Sequence, residues 1–122
     1  MRSEILYLQD IIESIRLIEK FLQGITKDDF LSDELRQSAV LYKLIVIGEA
    51  SAHISDEIKK NYPQTPWKKI VGLRNISAHA YFSVDWEAIW ATVKMQLKPL
   101  HTEIEQILQT DFPDFELKSN TK

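Results

Sequence analysis

Apolar residues recur at intervals of three and four along the start of the chain, at Ile5, Leu8, Ile11, Ile12, Ile15, Ile18 and Leu22. That spacing draws one stripe down a helix and predicts a first amphipathic element. Gly24, just past the stripe, suits a C-terminal cap. The TKDDF that follows reads as a turn. A second helix is expected to begin near Ser32, whose hydroxyl can cap it, with Asp33 and Glu34 in the first turn where negative charge is favoured. It should run through Ala39, Tyr42, Leu44, Ile45, Val46 and Ala50 to about Ile58. LIVIG resembles a buried strand, but its polar flanks keep helical spacing. In NYPQTPW the periodicity stops, because Pro63 and Pro66 each restrict the residue before them. Thr65 and Pro66 then read as an N-cap and a proline at the first helical position. A shorter helix should carry WKKIVGLRNISAH and end between Ala80 and Ser83. Asp85 is expected to cap a last long helix with Trp86, Ile89, Trp90, Val93, Leu97, Leu100, Ile104, Ile107 and Leu108 on its apolar face, kinked at Pro99. The fold class is therefore all-α: an up-down bundle of four main helices plus short helical turns. One domain over 1–111 is expected, with a loose tail over 112–122.

Composition narrows the chemistry. With 122 residues, 44% of them hydrophobic and 27% charged, the chain has the make-up of one soluble globular domain. It has no cysteine, which excludes disulfides, thiolate zinc sites and a cysteine nucleophile. No apolar run reaches the roughly 18 residues of a membrane span, and MRSEILYLQDIIESIR is not a signal peptide. A cytoplasmic protein is the expectation. The net charge of −3 argues against a general nucleic-acid binder. Its distribution says more. No acid lies between Glu57 and Asp85, whereas Lys59, Lys60, Lys68, Lys69 and Arg74 do.

Phosphate loops, HExxH and GxSxG patterns are all missing. His53, His79 and His101 stand far apart, so no metal is expected. His53 and His101 read as surface or packing residues, and Trp67, Trp86 and Trp90 as packing. Ser51 and Ser77 have no adjacent base. One cluster remains, in RNISAHAY: Arg74, Asn75, His79 and Tyr81. Asn75 and His79 would share a face if the helix is continuous. An imidazole with an ordinary pKa near 6.5 can take the proton of a 2′-hydroxyl. A guanidinium can stabilise charge on phosphoryl oxygens. Lys68 and Lys69 would add a sequence-independent attraction for an RNA backbone. The same residue types at a helix end also serve simply to cap carbonyls and pair with acids.

RNISAHAY resembles the Arg-Asn-x-x-x-His-x-Tyr signature of the HepT-like toxins, within the HEPN superfamily. The resemblance covers nearly the whole chain: YLQDIIESIRLIEKFLQG at the start, IGEA at Ile47 to Ala50, PWKKIVGLRN before the signature and VDWEAIW after it. It implies an HEPN-like helical ribonuclease toxin that works as a homodimer, with Arg74 and His79 of two subunits forming a composite RNA-cleaving cleft. Asn75 would orient the pair. No cofactor is implied, and cleavage would be metal-independent. The implied partner is a minimal nucleotidyltransferase antitoxin that transfers AMP from ATP, with Mg²⁺, onto Tyr81. Glu49, in IGEA, would lie near the motif and could pair with Arg74; equally, it reads as a plain surface carboxylate. One departure is Ala80, where many members carry an acidic residue. The alternative is a non-catalytic HEPN module that binds a nucleotide or serves as scaffold for its transferase.

Overall fold

The structure, a computed structural model, describes residues 3–76 and 81–114. Every regular element among them is helical, as the apolar spacing predicts. Helix α1 spans Glu4–Phe21, α2 Lys27–Leu31, α3 Glu34–Ala52, α4 Asp56–Asn61 and α5 Trp67–Gly72. A 3₁₀ turn over Leu73–Asn75 follows α5, and α6 runs over Trp86–Asp111. Helix α1 packs along α3 and against α6, while α5 and the 3₁₀ turn lie on α3. The first stripe is buried as expected, with Leu8, Ile11, Ile15 and Ile18 wholly inaccessible. It meets Val40, Leu44 and Ile47 of α3 and Leu97, Ile104 and Ile107 of α6, which are also buried.

Several boundaries differ from the periodicity reading, each for a local reason. TKDDF is helix α2 rather than a turn. The Thr26 side chain accepts from the Asp29 amide and the Asp29 carboxylate accepts from the Thr26 amide, a reciprocal capping box. Phe30 then anchors the element in the core. Ser32 closes α2 at its C-terminus, and Asp33 caps α3 instead by accepting from the Arg36 amide. The predicted second helix is interrupted after Ala52. Its continuation is α4, because Ser55 turns extended and accepts from the Ile58 amide to cap a new helix. Thr65 does not cap α5. Its hydroxyl donates to Glu103 Oε1 at 2.9 Å, and Pro66 occupies the cap position.

Other expectations match. Asp85 caps α6 by accepting from the Ala88 amide, whereas the cap of α1 is Leu22 and Gly24, two residues on, takes the left-handed φ of 75°. Helix α6 continues through Pro99. Trp67 is buried, with its indole N–H donating to the Tyr62 carbonyl at 3.0 Å. Trp86 and Trp90 pack around Phe30 with ring centroids 6.1 and 5.4 Å away. The Tyr62 hydroxyl donates to Asp111 Oδ1 at 3.1 Å, tying the end of α4 to the end of α6. Burial first, and then this bond to a carboxylate, push its phenol above the ordinary value.

Candidate active site on the outer face of α3

Arg74 owes its position to a glycine. Gly48 lies in the middle of α3, and the 3₁₀ turn crosses directly above it. A β-carbon at Gly48 would stand 2.6 Å from the Arg74 amide nitrogen, 2.9 Å from the Ile70 carbonyl oxygen and 3.1 Å from the Leu73 β-carbon. Only a residue without a side chain lets the two backbones meet so closely. The turn ends the α-helical geometry: α5 stops at Gly72, and Ile76 is extended at φ −71°, ψ 120°. Where the sequence predicts a single helix carrying WKKIVGLRNISAH, the described residues form α5 and then a 3₁₀ turn. Asn75 is exposed in that turn, ahead of the extended Ile76. His79 itself lies outside the described residues, as do Ser77, Ala78 and Ala80.

From the turn the Arg74 side chain reaches Glu49, with Nη1 3.7 Å from Oε1. The other carboxylate oxygen of Glu49 lies 3.7 Å from His53 Nδ1. The reading of Glu49 as a partner of Arg74 therefore matches the geometry. His53 is more than a plain surface residue. Its ring stacks on Tyr7 with centroids 4.5 Å apart and planes within 9°. Its Nδ1 also lies 3.0 Å from the Glu49 carbonyl oxygen. A carbonyl oxygen only accepts, so Nδ1 carries the proton in that bond. Both 3.7 Å contacts exceed hydrogen-bond range, and that between Arg74 and Glu49 acts through charge. Arg74 and Glu49 keep 42% and 56% of their side-chain surface exposed, so the pair is solvated and contributes little to stability.

Tyr81 is anchored to the same helix further toward its N-terminus. Its hydroxyl is 3.0 Å from Ser38 Oγ, and its half-buried ring meets Trp86 edge-on at 5.5 Å. Ser38 and Glu49 are eleven residues apart, three helical turns, and so lie on one face of α3. Tyr42 projects from between them, exposed.

Lys68 and Lys69 are exposed on α5. Lys69 also borders a cleft of about 510 Å³ between α5 and α6, floored by Ile47, Ile70, Leu73 and Leu97. His101 sits 3.4 Å from Glu105 on α6, away from these groups in sequence, and Ser51 is fully buried, which suits no nucleophile. No cluster of metal-ligating side chains occurs among the described residues. Nor, among them, is any helix long and apolar enough to cross a membrane.

Gly48 and His53 are the residues that sequence reasoning missed. The quoted IGEA string contained the glycine, but its role depends on contacts more than twenty positions away. His53, four residues after Glu49 on a helix, was within reach of the ordinary i, i+4 rule.

The family described as ribonuclease HepT-like matches residues 11–107. A Thermococcus cleftensis protein named "Probable ribonuclease HepT" is 42% identical over 106 residues, covering 87% of this chain and 96% of the relative. A Methanocaldococcus jannaschii protein named "Putative RNase MJ1380" is 36% identical over 99 residues, covering 81% and 91%. One from Caldanaerobacter subterraneus subsp. tengcongensis, named "Putative RNase TTE0752", is 30% identical over 105 residues, covering 86% and 94%. No solved structure matches the chain. A family match over residues 11–107, most of the chain, makes this chain a member of the ribonuclease HepT-like family.

Proposed function

We propose that this protein is the ribonuclease toxin of a toxin–antitoxin pair, cleaving RNA without a metal ion through Arg74 and His79 in the composite cleft of a cytoplasmic homodimer. In this reading His79 takes the proton of a 2′-hydroxyl, and the oxygen so freed attacks the adjacent phosphorus as the bond to the 5′-oxygen breaks, that oxygen leaving with a proton from water. The guanidinium of Arg74 stabilises the charge that builds on the phosphoryl oxygens. Asn75 orients the pair, and Lys68 and Lys69 draw in the RNA backbone. The observation that carries the reading is the placement of Arg74: a surface turn, held by close backbone packing, presents a half-exposed guanidinium within the span that matches the ribonuclease HepT-like family.

Control falls to Tyr81. A minimal nucleotidyltransferase antitoxin would transfer AMP to its hydroxyl, with pyrophosphate leaving from ATP. The half-exposed ring and its contact with the exposed Ser38 hydroxyl support access by such an enzyme. The attached phosphodiester and adenine would compete with RNA for the nearby cations and block entry.

Expression in bacteria tests the reading. Wild type should arrest growth and cleave RNA in the presence of a chelator. His79→Ala and Arg74→Ala should each lose activity by about 10²–10³ while remaining folded. With the antitoxin, ATP and Mg²⁺, intact mass should rise by whole AMP units for wild type and not for Tyr81→Phe, which stays toxic. Undiminished toxicity of a folded His79→Ala would refute the catalytic assignment. A wild type that binds RNA without cleaving it would favour the non-catalytic scaffold, in which Arg74 remains paired to Glu49.

A further inference from the structure

Arg74 reaches the surface on a short 3₁₀ turn, and its long side chain can aim the guanidinium in several directions unless a neighbour fixes it. Two neighbouring residues of α3 meet it at two levels. Gly48 receives the turn's backbone, with its α-carbon so close to the Arg74 amide that a β-carbon there would stand 2.6 Å from that nitrogen. Glu49, one residue on, faces the guanidinium at 3.7 Å. Its second oxygen lies 3.7 Å from His53, whose ring is fixed by stacking on Tyr7 and by its bond to the Glu49 carbonyl.

We propose that Gly48 and Glu49 are positioning residues for Arg74: the glycine sets the height of the turn over α3, and the carboxylate, steadied between Arg74 and His53, sets the direction of the guanidinium. This rests on the ribonuclease reading for its effect on rate, although the positioning itself does not. Glu49 does not touch the scissile phosphate in this scheme. It acts by limiting the arginine to one arrangement before RNA arrives, which lowers the cost of reaching the transition-state geometry. The phosphate then binds beside the carboxylate, because a guanidinium has donors enough for both. An acid beside an RNA-binding cation also weakens ground-state binding. Its loss should therefore move kcat and KM in a pattern that no general loss of structure would produce.

Glu49→Gln is the decisive variant, since the side chain is exposed and its shape is preserved. We expect kcat for RNA cleavage to fall about ten- to a hundredfold, KM to fall or hold, and the melting temperature to stay within about 2 °C. Glu49→Asp, which keeps the charge on a shorter arm, should recover part of kcat. His53→Ala should lower kcat less than Glu49→Gln does. Gly48→Ala should displace the amide resonances of Leu73, Arg74 and Asn75. A kcat for Glu49→Gln within twofold of wild type overturns the proposal.

A second measurement does not need activity. Nitrogen-15 NMR of the Arg74 side chain should give an Nε–H signal shifted from that of free arginine, collapsing toward it in Glu49→Gln. An Arg74 signal indifferent to that substitution overturns the proposal whether or not the protein cleaves RNA. Wild-type protein that cleaves no RNA yet shows the collapse leaves the positioning standing and removes the ribonuclease reading instead.

Discussion

At Asp33 one carboxylate closes the first turn of α3 and grips Arg36, with Oδ2 2.6 Å from Nη1. Arg36 Nε in turn donates to the Phe21 carbonyl at 2.8 Å, at the end of α1. The amide bond from Arg36 first, then its side chain, hold the Asp33 carboxyl below the usual carboxylate value. Because the folded state favours the charged form, this contribution is complete above the unfolded carboxylate pKa and disappears as pH falls through the lower folded one. Asp33→Asn keeps a capping oxygen but loses the charge. Urea unfolding of the two proteins should differ at neutral pH, wild type being more stable, and converge as pH falls below the ordinary carboxylate value. A gap that persists in acid would mean that the charge of Asp33 is not its source. The sequence pointed to a cap here but chose Ser32. Two good capping residues stood side by side, and what decides between them is Arg36, three positions after Asp33 and able to reach α1.

At the level of elements, α2 was missed because five residues carry too little periodicity to register. Its local signal was nevertheless present in Thr26 and Asp29, a capping pair with aspartate in the third helical position. What makes so short a helix stable is Phe30, wholly buried against Trp86 and Trp90. Phe30→Ala should cost about 3–5 kcal/mol, lowering the melting temperature by roughly 10–20 °C for a domain of this size. Differential scanning calorimetry measures this directly, and a shift of only a degree or two would show that the element is dispensable. The long helices were readable because α1, α3 and α6 each bury a repeating stripe. The ends of α3 and α5 were not, since Ser55 and the 3₁₀ turn are set by capping and by contact with α3 rather than by period.

For the whole molecule, the outer face of α3 and the segment after the motif leave large apolar groups uncovered. Leu35, Tyr42 and Phe82 are 80%, 61% and 91% exposed. They lie on or next to the elements that hold Arg74 and Tyr81, which supports the proposed homodimer with the motif at its seam. Sedimentation at micromolar concentration should give twice the 14.2 kDa mass of one chain, and Tyr42→Glu should shift it toward one; a wild-type monomer would exclude a shared cleft. Much of the site was legible through the family signature, and periodicity alone would not have found it. Glu49 could be anticipated from its string, whereas Gly48 matters only after the fold brings residues 70–74 onto it. One helix thus contacts two distant points of the proposed site, Tyr81 through Ser38 and Arg74 through Glu49. Inserting or deleting a single residue between them would turn one anchor about 100° away from the other. The eleven-residue interval therefore behaves as a ruler with an inviolable length. Among natural variants, gaps should collect in the connections on either side of α3 and spare that stretch, even where individual side chains within it change freely.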